Sequence, residues 1–395
     1  MSEWKEYKLG ELGKIVTGKT PPTSQHQNYD GDIPFICIPD LGKSRFIFHT
    51  NKTISKIGLE TVKNCSLPKG SVVVSCIATI GQVGITTKDI SVTNQQINSL
   101  IPDSNLITEE FCYYYFKNLG EDLAQFGGGG SIFEIISKDK FSKVYLTIPS
   151  LPEQTAIASV LSSLDDKIDL LHRQNATLEK MGETLFRQWF VEDAKEEWEI
   201  GKLDDVLSVI ESGKRPKGGI DPELTFGVPS IGAENINGIG VYDFSKTKFI
   251  TEEFYHSMQR GIMKDYDVLI YKDGAYVGRK GMFGNEFPFK KAAVNEHVFI
   301  LRSNEKTNQF FLYFLLNQEE LEKLNANSAQ PGLNQKAIEA FEIIIPPYEL
   351  MSKFGEFVKP FIDKIFFNGN QIRTLTTLRD TLLPKLMSGE IIVEF

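Results

Sequence analysis

Residues 4–21 read WKEYKLGELGKIVTGKTP, and residues 198–216 read WEIGKLDDVLSVIESGKRP. Both stretches contain a tryptophan, then a Lys-Leu pair, then a Gly-Lys-x-Pro ending. Such a match between two halves of one chain indicates an internal duplication.

Further matches follow in the same order along the chain. They pair Ile33-Pro34 with Val228-Pro229, Gly81-Gln82-Val83-Gly84 with Gly278-Arg279-Lys280-Gly281, Asn94-Gln95-Gln96 with Asn295-Glu296-His297, Ile148-Pro149 with Ile345-Pro346, and Asp166-Lys167-Ile168 with Asp363-Lys364-Ile365. The period is about 195 residues, so the repeated unit is a whole domain and not a short solenoid repeat.

Each half has two parts of different character. Residues 1–150 and 198–345 alternate β-branched runs with Gly, Pro, Asn and Asp clusters, which predicts strands and turns. Helices are predicted among them at 109–118 and 308–324. We therefore predict an α+β fold with two similar globular domains, 1–150 and 198–345, followed by helical segments 151–192 and 346–390.

The two helical segments have apolar residues at three- and four-residue spacing. Those residues are Leu161, Leu164, Ile168, Leu171, Leu178 and Leu185 in the first segment, and Phe361, Ile365, Ile372, Leu375 and Leu382 in the second. The spacing predicts two long antiparallel helices that pair as a coiled coil and separate the two domains. Asn175 and Asn368 interrupt this seam. Such polar residues either fix the register of the helices at a cost in stability or mark a frayed or solvent-filled position, and the sequence favours neither explanation.

Composition excludes several classes of protein. The 395 residues are 41% hydrophobic and 24% charged, which is ordinary for a globular chain. No run approaches the roughly 18 apolar residues of a membrane span, and the N-terminus has no apolar signal core. The four cysteines form no C-x-x-C pair. We expect a cytoplasmic protein with unpaired thiols.

Two near-matches to enzyme motifs fail on their context. Residues 13–20 read GKIVTGKT and fit the P-loop pattern, but Pro21 and Pro22 oppose the helix that a P-loop requires. Ile345-Pro346-Pro347-Tyr348 resembles the tetrad of amino-methyltransferases, yet Ile345 cannot hydrogen-bond a target amine. We therefore predict that this chain carries no catalytic centre and no metal site.

A duplicated pair of domains on a stiff spacer suits recognition of two separated DNA half-sites, about one helical turn or ~34 Å apart. Polar loop residues are the candidates for DNA contacts, because Asn and Gln pair with adenine edges and Arg with guanine. The candidates are Lys19, Thr20, Lys43, Arg45, Gln82 and Gln96 in the first domain, and Lys214, Arg215, Lys217, Arg279, Lys280 and His297 in the second. The net charge of −9 requires local basic patches or a basic partner for such binding.

The ordered, duplicated motifs resemble the specificity subunit of type I restriction–modification systems over residues 4 to 390. The resemblance rests on the Trp and Lys-Leu stretches, on Asn94-Gln95-Gln96 and its copy, and on Ile-Pro leading into each helix. The sequence LPKLMSGEI at residues 383–391 is also typical. In the second copy, Met351 stands where the first has Gln154, which departs from the family pattern.

The resemblance implies a non-catalytic subunit for phage defence that recognises a bipartite double-stranded DNA target. The helices would dock two methyltransferase subunits, and restriction subunits would join afterwards. S-adenosylmethionine, ATP and Mg would be used by those partners, with no cofactor in this chain and no membrane contact. Two alternatives stay open: a recognition subunit of a related multi-subunit restriction enzyme outside type I, and a duplicated protein-interaction scaffold.

Overall fold

Buried, mostly apolar runs form the central strands of both sheet-containing regions. In the first region, Val72–Ser75 is buried on both faces, as is most of Val268–Tyr271 in the second. The computed structural model describes residues 3–42, 44–127, 136–318 and 332–394. It divides into two compact units, Met1–Asp169 with Leu375–Phe395, and Leu170–Thr374.

The first unit contains eleven strands and three short helices within its described residues. The strands are β1 Lys5–Lys8, β2 Gly13–Thr17, β3 Tyr29–Ile36, β4 Phe46–Ile47, β5 Lys52–Ile54, β6 Ser66–Leu67, β7 Val72–Ser75, β8 Val83–Thr86, β9 Ser91–Thr93, β10 Ile97–Pro102 and β11 Tyr145–Ile148. The helices are α1 Lys56–Thr61, α2 Glu109–Leu119 and α3 Lys138–Ser142, and the long helix α4, Leu151–Arg187, begins in this unit.

The second unit repeats this order with ten strands in its described part. They are β12 Glu199–Lys202, β13 Leu207–Ser212, β14 Val228–Ile231, β15 Gly238–Ile239, β16 Lys248–Ile250, β17 Val268–Tyr271, β18 Lys280–Met282, β19 Ala293–Val294, β20 Val298–Ser303 and β21 Glu342–Ile345. Its short helices are α5 Glu252–Ser257, α6 Gln309–Gln318 and α7 Gln335–Glu339, and the long helix α8, Tyr348–Met387, begins in this unit.

The five-stranded sheets of the two units match strand for strand. One five-stranded sheet has the order β2-β10-β7-β8-β4, and the other has β13-β20-β17-β18-β15. In both, the last strand pairs in parallel and the others antiparallel. A second sheet also recurs, with four strands in the order β5-β3-β9-β6 in the first unit and three in the order β16-β14-β19 in the second, which has no counterpart of β6 among its described strands. The predicted duplication and the α+β fold class are confirmed.

The start of helix α2 is determined by its local sequence. The Thr108 hydroxyl accepts a hydrogen bond from the Phe111 N–H, and Glu109 and Glu110 lie in the first turn, where the helix dipole favours negative charge. The buried face of the helix carries the aromatic residues Phe111, Tyr114 and Phe116 into the core of the first unit. The predicted helix at 109–118 is therefore confirmed. Of the predicted 308–324 helix, residues from 319 onward lie outside the described ranges.

The departure at Met351 has a local structural reason. Buried Gln154 accepts a hydrogen bond from the Thr108 N–H at 3.0 Å and donates to the Leu106 carbonyl at 2.9 Å, which ties the start of α4 to the turn before α2. In the second unit the tie runs the other way, because the Asn308 side chain donates to the Met351 carbonyl at 2.7 Å. One polar side chain makes the tie in each unit, but it comes from opposite partners.

The long helices pair within each unit. In the second unit, Asn175 contacts Asn368, and the ring of Phe186 lies 5.7 Å from that of Phe354, so the two segments run antiparallel. In the first unit, Arg379 of α8 donates to Asp165 of α4 at 2.8 Å. Aromatic packing stabilises the second pairing, since Phe186, Phe190 and Phe354 all belong to the core of that unit.

Candidate nucleic-acid interface

Three loops of the first unit meet at one end of its five-stranded sheet. Strand register places Ser75 opposite Ile97 and Thr17 opposite Asn98. The loop after β2, the β7–β8 turn and the turn before β10 are therefore neighbours. In the second unit, Tyr271 lies opposite Val298 and Ser212 opposite Phe299, so the corresponding three loops also meet. We call each group a loop cluster: residues 18–20, 76–82 and 94–96 in the first unit, and residues 213–217, 272–279 and 295–297 in the second.

The turn before β10 has a counterpart with the same hydrogen bonds. Asn94 Oδ1 accepts from the Gln96 N–H at 3.0 Å, and Asn295 Oδ1 accepts from the His297 N–H at 2.9 Å. The Gln96 and His297 carbonyls then accept from the neighbouring loop at 2.8 and 2.9 Å. An asparagine side chain that bonds the backbone two residues on forms an Asx turn. The repeated asparagine is thus a structural residue that presents the side chains after it.

A glycine brings the first loop against this turn in both units. A β-carbon at Gly18 would lie 2.1 Å from the Asn94 carbonyl oxygen, and one at Gly213 would lie 1.6 Å from the Val294 carbonyl oxygen. Neither distance is sterically possible, so glycine is required for the close approach. Lys19 and Lys214, the residues after these glycines, are both exposed. This close approach explains why Gly-Lys recurs in both halves. It also explains the match to the P-loop pattern without a nucleotide site, because Gly13–Thr17 forms strand β2 and not a phosphate-binding loop.

The side chains on the two equivalent backbones differ in charge. In the first cluster, Thr20 donates to the Gln95 side-chain oxygen at 2.5 Å, a contact between neutral groups. In the second, Arg215 and Glu296 form an ion pair at 2.9 Å at the corresponding positions. His297 adds a further polar contact to Asp273 at 2.9 Å. The two clusters therefore offer different hydrogen-bonding groups on one shared framework, which is what two readers of different sequences require.

Most of the residues predicted to contact DNA lie in these clusters. Exposed positions are occupied by Lys19, Lys214, Arg215, Lys217 and Arg279, and partly exposed positions by Thr20, Gln82, Gln96, Lys280 and His297. Lys280 is the first residue of β18, directly beside the second cluster. Lys43 lies outside the described residues. Gln95, Glu296 and Tyr276 were not predicted. The repeat alignment could have identified the first two, but no repeated signal marks Tyr276.

Arg45 is the exception among the predicted DNA contacts. Its guanidinium is buried, pairs with Asp166 at 2.7 Å and donates to the Tyr114 hydroxyl at 3.0 Å. Asp165 beside it receives hydrogen bonds from Tyr114 at 2.8 Å and Arg379 at 2.8 Å. Because Arg45 is buried and both terminal nitrogens of its guanidinium are bonded inside the first unit, the structure does not present Arg45 for DNA contact.

The charges around Asp165 act together on its ionisation. Burial by itself raises the pKa of Asp165, but the charge of Lys117 and hydrogen bonds from Arg379 and Tyr114 outweigh burial and hold the pKa below its ordinary value. Burial also raises the pKa of Tyr114 far above its ordinary range, so this hydroxyl keeps its proton and donates to the carboxylate. The network fixes the packing of the first unit against its two helix segments.

The predicted seam residues fall into two groups by exposure. Leu161, Ile168, Leu171 and Ile365 are buried, and Leu164, Leu178, Leu185, Phe361, Ile372, Leu375 and Leu382 are partly exposed. Among the described ranges, the structure holds no group of three metal-ligating side chains. The described helices include none that is long and apolar enough to cross a membrane.

Comparison with known proteins agrees with this architecture. The type I restriction modification DNA specificity domain matches residues 1–180 and again 195–377. The MjaIX specificity subunit of a type I restriction enzyme from Methanocaldococcus jannaschii is 31% identical over 417 aligned residues, covering 99% of this chain and 94% of that protein. The HindI specificity subunit from Haemophilus influenzae is 38% identical over 152 residues, 37% of this chain and 32% of that protein.

A solved structure shows the same fold. The type I restriction-modification S subunit from M. genitalium aligns with a TM-score of 0.61 at 17% identity, covering 98% of this chain and 96% of that one. Two family domains in one chain, and a relative aligned along nearly its whole length, favour type I over the two alternatives left open by the sequence. This chain belongs to the family of type I restriction–modification specificity subunits.

Proposed function

We propose that this chain, a non-catalytic DNA specificity subunit of a type I restriction–modification system, reads one half of a bipartite double-stranded DNA target with each loop cluster. The observation that carries the proposal is the duplicated framework: the same Asx turn and the same glycine contact recur, with different side chains on them. Equivalent frameworks hold equivalent segments to DNA, and different side chains select different bases.

The charge distribution supports local contact at these clusters. The chain as a whole has a net charge of −9, yet Lys19, Lys214 and Lys217 are exposed at the clusters. Exposed lysines near phosphates supply affinity without sequence preference. Lys19 and Lys214 follow equivalent glycines, so we assign them the same phosphate contact in both domains.

We assign the reading domains to residues 1–150 and 198–345, and the spacer and docking role to the helical segments 151–192 and 346–390. Those helices would dock two methyltransferase subunits, with restriction subunits joining through them. S-adenosylmethionine, ATP and Mg would act in the partner subunits, and the assembly would work in the cytoplasm on chromosomal and invading DNA. Exposed apolar residues of the helices, such as Met181 and Leu378, support a docking role.

The test is to express this chain with its cognate methyltransferase subunit in a host that lacks adenine methylation, and to map modified adenines across the genome. The expected result is modification confined to one sequence made of two short blocks and a fixed gap. Modification at a single continuous block, or co-purification with no modified sequence, would contradict two-domain reading. Empty vector and methyltransferase alone are the controls.

A further inference from the structure

The β-hairpins of the two loop clusters have the same backbone geometry. Gly81 has φ +83° and Gly278 has φ +84°. The N–H of Gly81 donates to the Ser75 carbonyl at 3.0 Å, and the N–H of Gly278 donates to the Tyr271 carbonyl at 2.8 Å. The residue after each glycine is therefore presented by the same turn.

That next residue is Gln82 in the first unit and Arg279 in the second. Their carbonyls accept equivalent hydrogen bonds, from the Ser75 N–H at 2.9 Å and the Tyr271 N–H at 2.8 Å. We propose that this shared hairpin position reads a base in both domains, with Gln82 selecting adenine and Arg279 selecting guanine. The proposal rests on the proposed function and adds to it the residue and the base on each side.

Arg279 is held in a form suited to reading guanine. Its guanidinium carbon lies over the ring of Tyr276, 3.9 Å from the ring centroid, and Tyr276 is itself 47% exposed. This contact with the ring face restrains the long side chain of Arg279 without using its N–H donors in an ion pair. Among the described residues, no carboxylate lies within ion-pair distance of Arg279, whereas Arg215 is paired with Glu296. A fixed fork of donors matches the O6 and N7 acceptors of guanine.

Contacts around Gln82 fix its position but leave its side-chain amide without a hydrogen bond to the described part of the protein. Its N–H donates to the Ser75 hydroxyl at 2.9 Å, which fixes the backbone. Its side-chain oxygen rests against Gly42, where a β-carbon would lie only 1.9 Å away. In the described part of the chain, no protein group hydrogen-bonds to the Gln82 side-chain amide. An amide has one donor and one acceptor side by side, which matches N7 and N6 of adenine.

A purely structural role does not account for this pair. The backbone bonds hold the turn whatever the side chain, and neither polar side chain stabilises the protein through a hydrogen bond within the described residues. A phosphate contact by Arg279 is the remaining explanation. It differs in its consequence, because a phosphate contact weakens all sequences equally and a base contact changes preference at one base pair.

The experiment uses the complex of the full chain with its methyltransferase subunit. Binding to the mapped target is measured in competition with DNA in which each base pair is replaced in turn. Arg279→Gln is expected to shift one position of one half-site from guanine to adenine, and Gln82→Arg to shift one position of the other half-site from adenine to guanine. One bidentate contact changes the preference by roughly 5- to 150-fold. Arg279→Ala should leave that position without a preference.

Two control variants make the same charge changes at the opposite end of each five-stranded sheet, after the strands β10 and β20 that pair with β7 and β17. Lys306→Gln removes one positive charge after β20, and Ser104→Arg adds one after β10; both positions are exposed. Neither should change any base preference. Thermal melting checks that every variant is folded, and genome-wide adenine mapping gives a second readout of the same preferences.

The outcomes separate this inference from the proposed function. A wild-type complex without a two-block target would overturn the proposed function. A wild-type two-block target that keeps every base preference in both Arg279→Gln and Gln82→Arg would overturn only the inference. Equal weakening of all sequences by Arg279→Gln would assign Arg279 to a phosphate and would also overturn it. A shift to a base other than the expected one, such as cytosine in Arg279→Gln, would do the same.

Discussion

The side-chain amide of Asn368 donates a hydrogen bond to Asn175 Oδ1 at 2.8 Å where α8 packs against α4 in the second unit. Asn368 is fully buried. A buried asparagine in an apolar helix seam disfavours other registers, because a shifted register would leave its amide without the Asn175 partner. Of the two explanations for the seam asparagines, the structure therefore supports the register-fixing pair.

Replacing one member of this pair should destabilise the protein. In Asn175→Ala, the buried Asn368 amide loses its closer acceptor and keeps only Gln174 Oε1 at 3.4 Å, and we expect a loss of about 1–3 kcal/mol in the free energy of unfolding. Asn175→Leu combined with Asn368→Leu should recover most of that loss, because it buries apolar groups in place of the pair. Urea unfolding of the full chain, followed by circular dichroism, measures both. A double variant no more stable than Asn175→Ala would argue against the pairing.

Arg45→Ala should affect stability and leave DNA reading unchanged. Removing the guanidinium deletes its contacts with Asp166 and Tyr114, and we expect a loss of about 2 kcal/mol. The mapped methylation sequence should stay the same at a temperature where the variant is folded. A change of recognised base in the first half-site would show that Arg45 contacts DNA after all. Lys63→Ala, an exposed pair with Glu60, is the control and should change little.

Lys19→Ala and Lys214→Ala should weaken DNA binding without changing its sequence preference. Each removes one exposed charge at equivalent positions, so each should lower the slope of log affinity against log salt by about 0.9. Titrations of the complex at several salt concentrations measure this slope. A change of recognised base in either variant would show that the lysine reads a base.

Glu179→Gln should stabilise the second unit at neutral pH. Burial, with the nearby charge of Glu183, raises the pKa of Glu179 above its ordinary value of 4.5. The folded state therefore holds this proton more tightly, and stability is lost as pH rises from about 4.5 through the raised pKa. Because the glutamine cannot ionise, its contribution to stability does not fall with pH. Its side-chain oxygen can still accept the hydrogen bond from the Tyr313 hydroxyl.

The advantage of Glu179→Gln should appear at pH 7.5 and vanish near pH 4. Urea midpoints of both proteins at the two pH values measure it. Glu356→Gln, at an exposed position on α8, is the matched control and should show no such pH-dependent gain. An equal advantage at both pH values would mean that packing, and not ionisation, separates the two side chains.

Exchanging residues 1–150 for the corresponding domain of another family member should change one half of the recognised sequence. The other half and the gap should stay the same, because the second loop cluster is built within Leu170–Thr374. Methylation mapping of the hybrid with the same methyltransferase subunit checks this. A change in both halves would show that the two domains do not read independently.

Much of the fold was predictable, because the duplication made each local signal appear twice. The paired Gly-Lys, Asn and Ile-Pro positions identified the two equivalent domains, and the apolar spacing identified α4 and α8. Individual site residues were less predictable. Arg45 looked like any other loop arginine, and only the positions of Tyr114 and Asp166 show that it faces inward.

The sequence by itself determined the duplication, the α+β class and the two helices, since these depend on local spacing and on order along the chain. Only the tertiary structure decided which loops meet, because strand register brings Gly18, Gln82 and Gln96 to one end of a sheet although they are far apart in sequence. The tertiary structure also decided which polar side chains form hydrogen bonds inside the protein. These bonds depend on burial and on partners distant in the chain, such as Asn175 with Asn368, so a local sequence pattern cannot predict them.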